Sequence, residues 1–338
     1  MALLEIENLS VEFPSATGMV RAVDGVSLVL SAGELIGVVG ESGSGKSLTM
    51  LAVMGLVPYP GRVTADRLTF KNSDLLRLSN RERRQLAGKS IAMIFQEPTT
   101  SLNPCFTVGF QLIEGLRVHE RMGHKAARKR AVELLERVGI PAAEKRMGAY
   151  PHQLSGGMNQ RVMIAMAIAC NPEILIADEP TTALDVTIQA QILQLLLSLQ
   201  CDRGMGLILV THNMGVVADT AQRALVMYAG QIVEDRSTAA LFQTPQHPYT
   251  AALLAARPEH GQSGRLATIP GTPPGLHDRP VGCLFAPRCA YASERSRAIR
   301  PQLRDWMGGQ VRCHYPLGDP GRDGRIAADG PAGVKATP

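Results

Sequence analysis

The chain has 338 residues, of which 45% are hydrophobic and 19% charged, and its formal net charge is +5. This length suggests two domains, or one large domain with an appendage, and the apolar fraction is enough for a sizeable core. Aromatic residues make up only 4%, which argues against a stacking surface for single-stranded nucleic acid. The local basic runs at 81–84 and 125–130 are interpreted as solvated helix faces, so we expect no nucleic-acid partner.

The sequence gives no sign of a membrane span or an export signal. It contains no apolar run near the roughly 18–20 residues that a spanning helix needs. The first five residues include an early acid, Glu5, and no basic segment, unlike a secretory signal. We therefore expect the protein in the cytoplasm, where disulfides among its six cysteines are not favoured.

Apolar residues alternate over residues 4–30, which predicts antiparallel strands. Short apolar runs at 35–39, 91–95, 173–177 and 207–210 predict buried strands, and 224–234 is typical of a hairpin. Helical spacing dominates 97–160 and returns at 188–199. Strands that alternate with helices predict an α/β fold with a mainly parallel sheet, whose ligands bind at the carboxyl ends of the strands.

The stretch Gly40-Glu41-Ser42-Gly43-Ser44-Gly45-Lys46-Ser47 matches the phosphate-binding loop G-x-x-x-x-G-K-[ST]. Its glycines permit backbone angles that bring N–H groups close around phosphate oxygens. Lys46 adds a charge near the terminal phosphates, and the Ser47 hydroxyl can ligate Mg²⁺. A triphosphate and Mg²⁺ are therefore the predicted ligands, and the candidate residues in this stretch are Gly40, Ser42, Gly43, Gly45, Lys46 and Ser47.

The stretch Leu154-Ser155-Gly156-Gly157-Met158-Asn159-Gln160-Arg161 resembles the signature motif of ABC ATPases. The family's other motifs also have matches, in the family's order: Phe13 for the adenine-stacking aromatic, Gln96 for the Q-loop, Asp178-Glu179 for the end of the Walker B strand, Ala183-Leu184-Asp185 for the D-loop and His212 for the switch histidine. The resemblance implies a P-loop NTPase with a RecA-like parallel sheet, an antiparallel β subdomain and an ABC helical subdomain at about 97–160. We assign this ATPase domain to residues 1–245.

The resemblance also implies roles for these residues. Asp178, with Ser47 and Gln96, would hold Mg²⁺. Glu179 would be the base that activates water, and His212 would position the γ-phosphate and that water. Gln96 would be the third residue of this catalytic set. Ser155, Gly156, Gly157 and Asp185 would contact ATP bound to a second ATPase subunit.

Residues 246–317 resemble the C-terminal region of peptide and nickel importer ATPases, beginning with Gln246-His247-Pro248-Tyr249-Thr250. The stretches 58–63 and 90–109 are similar to dipeptide-permease members of that family. Such transporters combine two different ATPase chains, two membrane permeases and a periplasmic solute-binding protein. The expected function is peptide import at the cytoplasmic face of the inner membrane, with nickel chelates or haem as alternative substrates. A soluble ABC ATPase acting on nucleic acid or ribosomes is a further alternative. We predict a small loop-rich lobe at 246–317 and a disordered tail at 318–338.

Three cysteines, Cys283, Cys289 and Cys313, cluster in the C-terminal region. In similar ATPases four cysteines there suit a [4Fe-4S] cluster, and the fourth falls at Ser296 in this chain. Three interpretations remain open: a lost cluster, a cluster held by three cysteines with an outside ligand or His314, and a zinc site of the three cysteines with His314.

Overall fold

The computed structural model describes residues 2–16, 18–97, 101–181, 185–256 and 268–328, and it contains two β-sheets. The first sheet is antiparallel and has the order β2-β1-β5-β6, with β4 paired to β1. The alternation predicted over residues 4–30 is thus present as the two long strands of this sheet. Its strands are β1 (Ala2–Ser15), β2 (Gly18–Ser31), β4 (Arg62–Thr64), β5 (Arg67–Phe70) and β6 (Ser73–Asp74).

The second sheet carries the phosphate loop and has the order β12-β13-β11-β10-β3-β9-β8-β7. Five neighbouring strands, from β10 to β7, run parallel. β3, β7, β8 and β9 are buried along their whole length, as expected for a parallel sheet covered on both faces. The strands are β3 (Leu35–Val39), β7 (Ile91–Ile94), β8 (Ile174–Asp178), β9 (Gly206–Thr211), β10 (Arg223–Tyr228), β11 (Gln231–Ser237), β12 (Arg304–Trp306) and β13 (Gly309–Val311).

Helices cover the parallel sheet, and a group of them forms the predicted helical subdomain within 97–160. The longest helix has 18 residues, and across the described ranges none combines the length and the apolar character that a bilayer span requires. The helices are α1 (Lys46–Met54), α2 (Asn80–Leu86), α3 (Val108–Glu120), α4 (His124–Arg137), α5 (Ala143–Arg146), α6 (Gly156–Ile168), α7 (Val186–Arg203), α8 (Met214–Thr220), α9 (Thr238–Gln243), α10 (Pro248–Ala255), α11 (Glu294–Ala298) and α12 (Arg322–Ala328).

The C-terminal region is joined to the central sheet more closely than a separate lobe would be. The hairpin of β12 and β13 pairs antiparallel with β11 and so extends the sheet. The buried carboxylate of Glu234 on β11 accepts hydrogen bonds from the backbone N–H groups of Gln246 and His247, each at 2.8 Å. The predicted boundary at 245/246 therefore lies within a continuous hydrogen-bonded structure.

The predicted disordered tail differs from the structure in its first part. The backbone N–H of Gly318 donates to the Gln246 side chain at 3.0 Å, and α12 follows at Arg322–Ala328. Long-range contacts of this kind leave no local sequence signal, which is why the composition alone indicated a tail. Residues 329–338 lie outside the described residues.

Candidate active site

The phosphate loop connects β3 to α1 and depends on its glycines. Gly40 has a φ of 152°, and a Cβ there would overlap the carbonyl oxygen of Met227 on β10. The Lys46 ammonium donates hydrogen bonds to the carbonyl oxygens of Gly40 (2.8 Å) and Glu41 (3.0 Å). Burial lowers the pKa of Lys46, while the carboxylates of Glu179 and Asp178 oppose this shift. The loop thus holds a buried cation where terminal phosphates are expected.

The predicted magnesium ligands Ser47 and Asp178 are in contact. The Ser47 hydroxyl donates to Oδ1 of Asp178 at 2.9 Å, joining the start of α1 to the end of β8. Asp178 is only 4% exposed, and this burial raises the pKa of its carboxyl while the Ser47 hydrogen bond lowers it. A hydroxyl and a carboxylate side by side are oxygen ligands of the type that Mg²⁺ prefers. The residues therefore fit the predicted ion.

The three predicted catalytic residues meet at Glu179. Its Oε2 accepts from Nε2 of Gln96 at 3.2 Å, and its Oε1 lies 3.3 Å from Nδ1 of His212. Glu179 has a φ of 46°, and its backbone N–H donates to the Val210 carbonyl oxygen at 2.8 Å. Three carboxyl ends of the parallel sheet, those of β7, β8 and β9, bring these side chains together, which agrees with ligand binding at this edge of a parallel sheet.

A cleft of about 620 Å³ opens over the phosphate loop, and it has a second wall that sequence reasoning missed. One wall consists of residues 42–48 with Gln96 and Glu179. The other consists of a C-terminal loop, Pro273–Leu276, together with Arg279. The Arg279 guanidinium donates to the Ala22 carbonyl oxygen at 3.3 Å. The sequence signal for this wall is a run rich in proline and glycine, which is typical of a loop but does not indicate where the loop packs.

The signature residues lie elsewhere on the surface of the same chain. Ser155, Gly156, Gly157 and Asp185 are not among the described residues that line the cleft. The Ser155 hydroxyl accepts from the Met158 N–H and caps α6, while the Asp185 carboxylate caps α7 by accepting from the Ile188 N–H. Each side chain thus has a structural role in its own chain. Ala183 and Leu184 of the predicted D-loop lie outside the described residues.

Phe13 is half-buried on β1 and also stands apart from the residues that line the cleft. A Cβ on Gly61 would lie 2.7 Å from its ring, and it packs in the same cluster as Val57 and Val63. Its stacking on adenine stays a prediction.

Comparison with known proteins places this geometry in a family. The ABC transporter family profile matches residues 23–182, and the profile of the oligopeptide/dipeptide transporter C-terminal region matches residues 233–295. The dipeptide transport ATP-binding protein DppD of Escherichia coli (strain K12) is 57% identical over 324 residues, covering 95% of this chain and 99% of that protein. The chain belongs to the ABC transporter ATPase family.

Two further comparisons agree with this assignment. The oligopeptide transport ATP-binding protein OppD of Bacillus subtilis (strain 168) is 53% identical, over 86% of this chain and 82% of that protein. The solved dimeric ATP-binding cassette MJ0796, bound to ADP and Pi, is similar with a TM-score of 0.62 and 30% identity. It covers 70% of this chain, and 98% of that cassette is matched. The P-loop ATPase fold predicted from the motifs is therefore confirmed.

The three C-terminal cysteines line one small pocket. Cys283, Cys289 and Cys313 share it with Ser296 and His314. Burial raises the pKa of Cys289 to about 11 and that of Cys313 to about 12. Among the described residues, no group of three or more His, Cys, Asp or Glu side chains is placed to hold a single metal ion. The pocket thus brings together the predicted cluster residues without forming a mononuclear site.

The Ser296 hydroxyl takes part in a local hydrogen-bond network. It lies 3.2 Å from the hydroxyl of Ser293, which donates to the phenol oxygen of Tyr315 at 3.1 Å. Nε2 of His314 lies 2.9 Å from the Ile299 carbonyl oxygen. Ser296, at the position of the missing cysteine, and the candidate ligand His314 are therefore both engaged with neighbouring protein groups.

Proposed function

We propose that this chain is the ATP-hydrolysing subunit of a bacterial importer of dipeptides or oligopeptides, bound peripherally at the cytoplasmic face of the inner membrane. The observation that carries the proposal is the meeting of Glu179 with Gln96 and His212 beside the phosphate loop, in a chain that matches the peptide-transporter C-terminal region. The names of the relatives, dipeptide and oligopeptide transport proteins, favour peptides over nickel chelates or haem.

The proposed mechanism divides the work between the phosphate loop, the magnesium ligands and the group around Glu179. Lys46 and the loop N–H groups bind the β- and γ-phosphates, and Ser47 and Asp178, with Gln96, would hold Mg²⁺. Mg²⁺, when bound, neutralises charge on the phosphate oxygens. Glu179 accepts the proton of the attacking water, and its two neighbours, Gln96 and His212, orient its carboxylate toward the γ-phosphate.

Hydrolysis at this site requires a second ATPase subunit, which we propose to be a different chain. Gly156 and Gly157 are the first residues of α6. The first N–H groups of a helix have no acceptor within the helix, so this end of α6 can bind an anion. Since the signature residues are absent from the cleft of their own chain, they are free to contact ATP held by the partner. Two permease subunits and a periplasmic solute-binding protein complete the proposed transporter.

Two measurements test this function. The purified chain alone should bind ATP and hydrolyse it slowly, because each site needs a signature from a second subunit, and full activity as a monomer would contradict the composite site. In cells that lack their dipeptide permease ATPase, this chain together with its cognate subunits should restore uptake of labelled dipeptide. Restored uptake of nickel without dipeptide would favour the alternative substrate.

We also propose that the cysteine pocket holds a [4Fe-4S] cluster through Cys283, Cys289 and Cys313, with a structural role. The support is that the three thiols converge on one pocket, since a cluster spreads its ligands over several irons and accepts wider spacing than a single ion. Anaerobic purification followed by iron, sulfide and zinc analysis tests this. Iron and sulfide in a 1:1 ratio supports the cluster, zinc alone supports the alternative site, and none of the three in folded, active protein means that the cysteines only pack.

A further inference from the structure

Glu41, the second residue of the phosphate loop, is held by the C-terminal region at both its side chain and its backbone. The guanidinium of Arg288 donates two parallel hydrogen bonds to its carboxylate, Nη1 to Oε2 at 2.7 Å and Nη2 to Oε1 at 2.9 Å. The backbone N–H of Glu41 donates to the phenol oxygen of Tyr249 at 2.9 Å. The two C-terminal residues are 247 and 208 positions away in sequence.

Both partners are built into the protein interior. The Arg288 side chain is only 4% exposed, and Tyr249 is fully buried. Tyr249 packs on the rings of Tyr228 and Phe285, with centroids 4.6 Å and 5.3 Å away. The hydrogen bonds to Glu41 raise the pKa of Arg288 above its ordinary value. A bidentate pair with one buried partner is geometrically specific, unlike an exposed ion pair.

The same arginine also holds the loop that forms the second wall of the cleft. Its Nε donates to the carbonyl oxygen of Pro270 at 2.9 Å, three residues before Pro273, where that wall begins. One side chain therefore sets the position of both walls.

Glu41 in turn orients the phosphate-binding cation. Its carbonyl oxygen accepts from the Lys46 ammonium at 3.0 Å, so a displacement of Glu41 displaces an acceptor of Lys46. An unpaired Glu41 carboxylate would also repel the phosphates, because it would lie on the same short loop that binds them. Arg288 neutralises that carboxylate and fixes it on the side facing the C-terminal region.

We propose that Arg288 and Tyr249 are positioning residues for ATP, which hold Glu41 so that Lys46 and the phosphate loop are preorganised for the β- and γ-phosphates. Neither residue belongs to the ATPase motifs, and neither lines the cleft. If so, loss of Arg288 or Tyr249 should weaken nucleotide binding by an amount that depends on the number of phosphates in the nucleotide.

The test uses the full-length chain and fluorescent mant-labelled ATP, ADP and AMP. Arg288→Met should weaken ATP and ADP binding about tenfold, the usual scale for loss of a charge-assisted pair. AMP has no β-phosphate, so its binding should change less than about twofold. Arg288→Lys, which keeps the charge without the bidentate geometry, should recover part of the loss.

A double-mutant cycle tests whether Arg288 acts through Glu41. In the Glu41→Gln background, Arg288→Met should weaken ATP binding by less than about threefold, because the carboxylate that the arginine holds is already gone. A full tenfold loss in that background would overturn the proposal. Tyr249→Phe keeps the aromatic packing and removes only the phenol oxygen, and it provides a second test if Arg288→Met does not fold. It should weaken ATP binding a few-fold and leave AMP binding unchanged.

Arg312→Met is the matched control. Arg312 and Arg288 are equally buried, each 8% exposed when the whole residue is counted, but Arg312 donates to the Ile232 carbonyl oxygen instead of the phosphate loop. It should lower the thermal unfolding midpoint and leave ATP affinity per folded molecule unchanged. Equal losses of ATP affinity in both arginine variants, or equal losses of ATP and AMP affinity in Arg288→Met, would mean that the region contributes only general stability.

Discussion

The carboxyl ends of the parallel strands and the C-terminal region both reach the nucleotide cleft, but by different means. The strand ends carry the side chains proposed to act in the reaction: Asp178 is the last residue of β8, and Glu179 and His212 come directly after β8 and β9. The C-terminal region instead contacts the phosphate loop through the pair of Arg288 and Glu41, and it supplies the loop that forms the second wall of the cleft. Groups for chemistry and groups that preorganise the site can therefore come from parts of one chain that have separate sequence signatures.

The largest effect is expected at the strand ends. Glu179→Gln should lower ATP turnover by about 10²–10⁴, as for loss of a general base, and should retain ATP binding because the phosphate loop is untouched. ATPase assays of the assembled transporter would measure this. Glu173→Gln is the control, since that carboxylate lies at the other end of β8 and pairs with Lys71. Normal turnover in Glu179→Gln would remove this residue from the mechanism.

Lys46→Ala should weaken ATP binding by at least about 10²-fold, because it removes the cation nearest the terminal phosphates, and should abolish transport. Equilibrium binding of labelled ATP and peptide uptake are the measurements. Here, unlike at Glu179, binding and turnover should be lost together. ATP affinity at the wild-type level would show that the phosphate loop does not bind through this residue.

A third prediction concerns Gly230, in the turn between β10 and β11 that contacts the phosphate loop. Gly230 donates its N–H to the Ser44 carbonyl oxygen at 2.9 Å, has a φ of 87°, and leaves no space for a Cβ against Ala22. Gly230→Ala should reduce the free energy of unfolding by about 2–4 kcal/mol, measured by chemical denaturation.

Gly204→Ala is its control, because Gly204 has a φ of 60° with nothing within 4 Å of the added Cβ. At Gly204 the added Cβ should cost only the strain of a positive φ, which lowers the free energy of unfolding by about 1 kcal/mol. Equal losses at the two glycines would show that the close approach to Ala22 contributes nothing.

The smallest effect is expected at the second wall. Arg279→Met should weaken ATP binding by about two- to fivefold, since the side chain belongs to the second wall of the cleft and not to the phosphate loop. Binding titrations at low and high salt would measure it, and the difference from wild type should shrink as salt rises. Arg295→Met, an exposed arginine on α11 of the same region, should bind ATP like wild type. A loss as large as that of Lys46→Ala would place Arg279 on the terminal phosphates.

The sequence predicted the parts of this site that follow local rules. Alternation and short apolar runs predict the strands, and because parallel strand ends share one edge, the phosphate loop, Asp178-Glu179 and His212 are expected to converge. The contact between Arg288 and Glu41 could not be predicted, because nothing in either local sequence specifies a partner 247 positions away. The strands β12 and β13 have three residues each, too few for a period-2 pattern to be read.

The pairing of β13 with β11 has a consequence for how the chain is made. In the finished protein, Val311 and Gln310 cover the side of β11 that faces away from β10. During synthesis, β11 leaves the ribosome some seventy residues before its cover does, and until then its outer edge is open to pairing with any other extended chain. A fragment that stops at residue 245 would keep that edge open permanently and would leave the Glu234 carboxylate without the N–H groups of Gln246 and His247. Aggregation of such a fragment is the expected fate of an ATPase domain cut at the boundary that its motifs suggest.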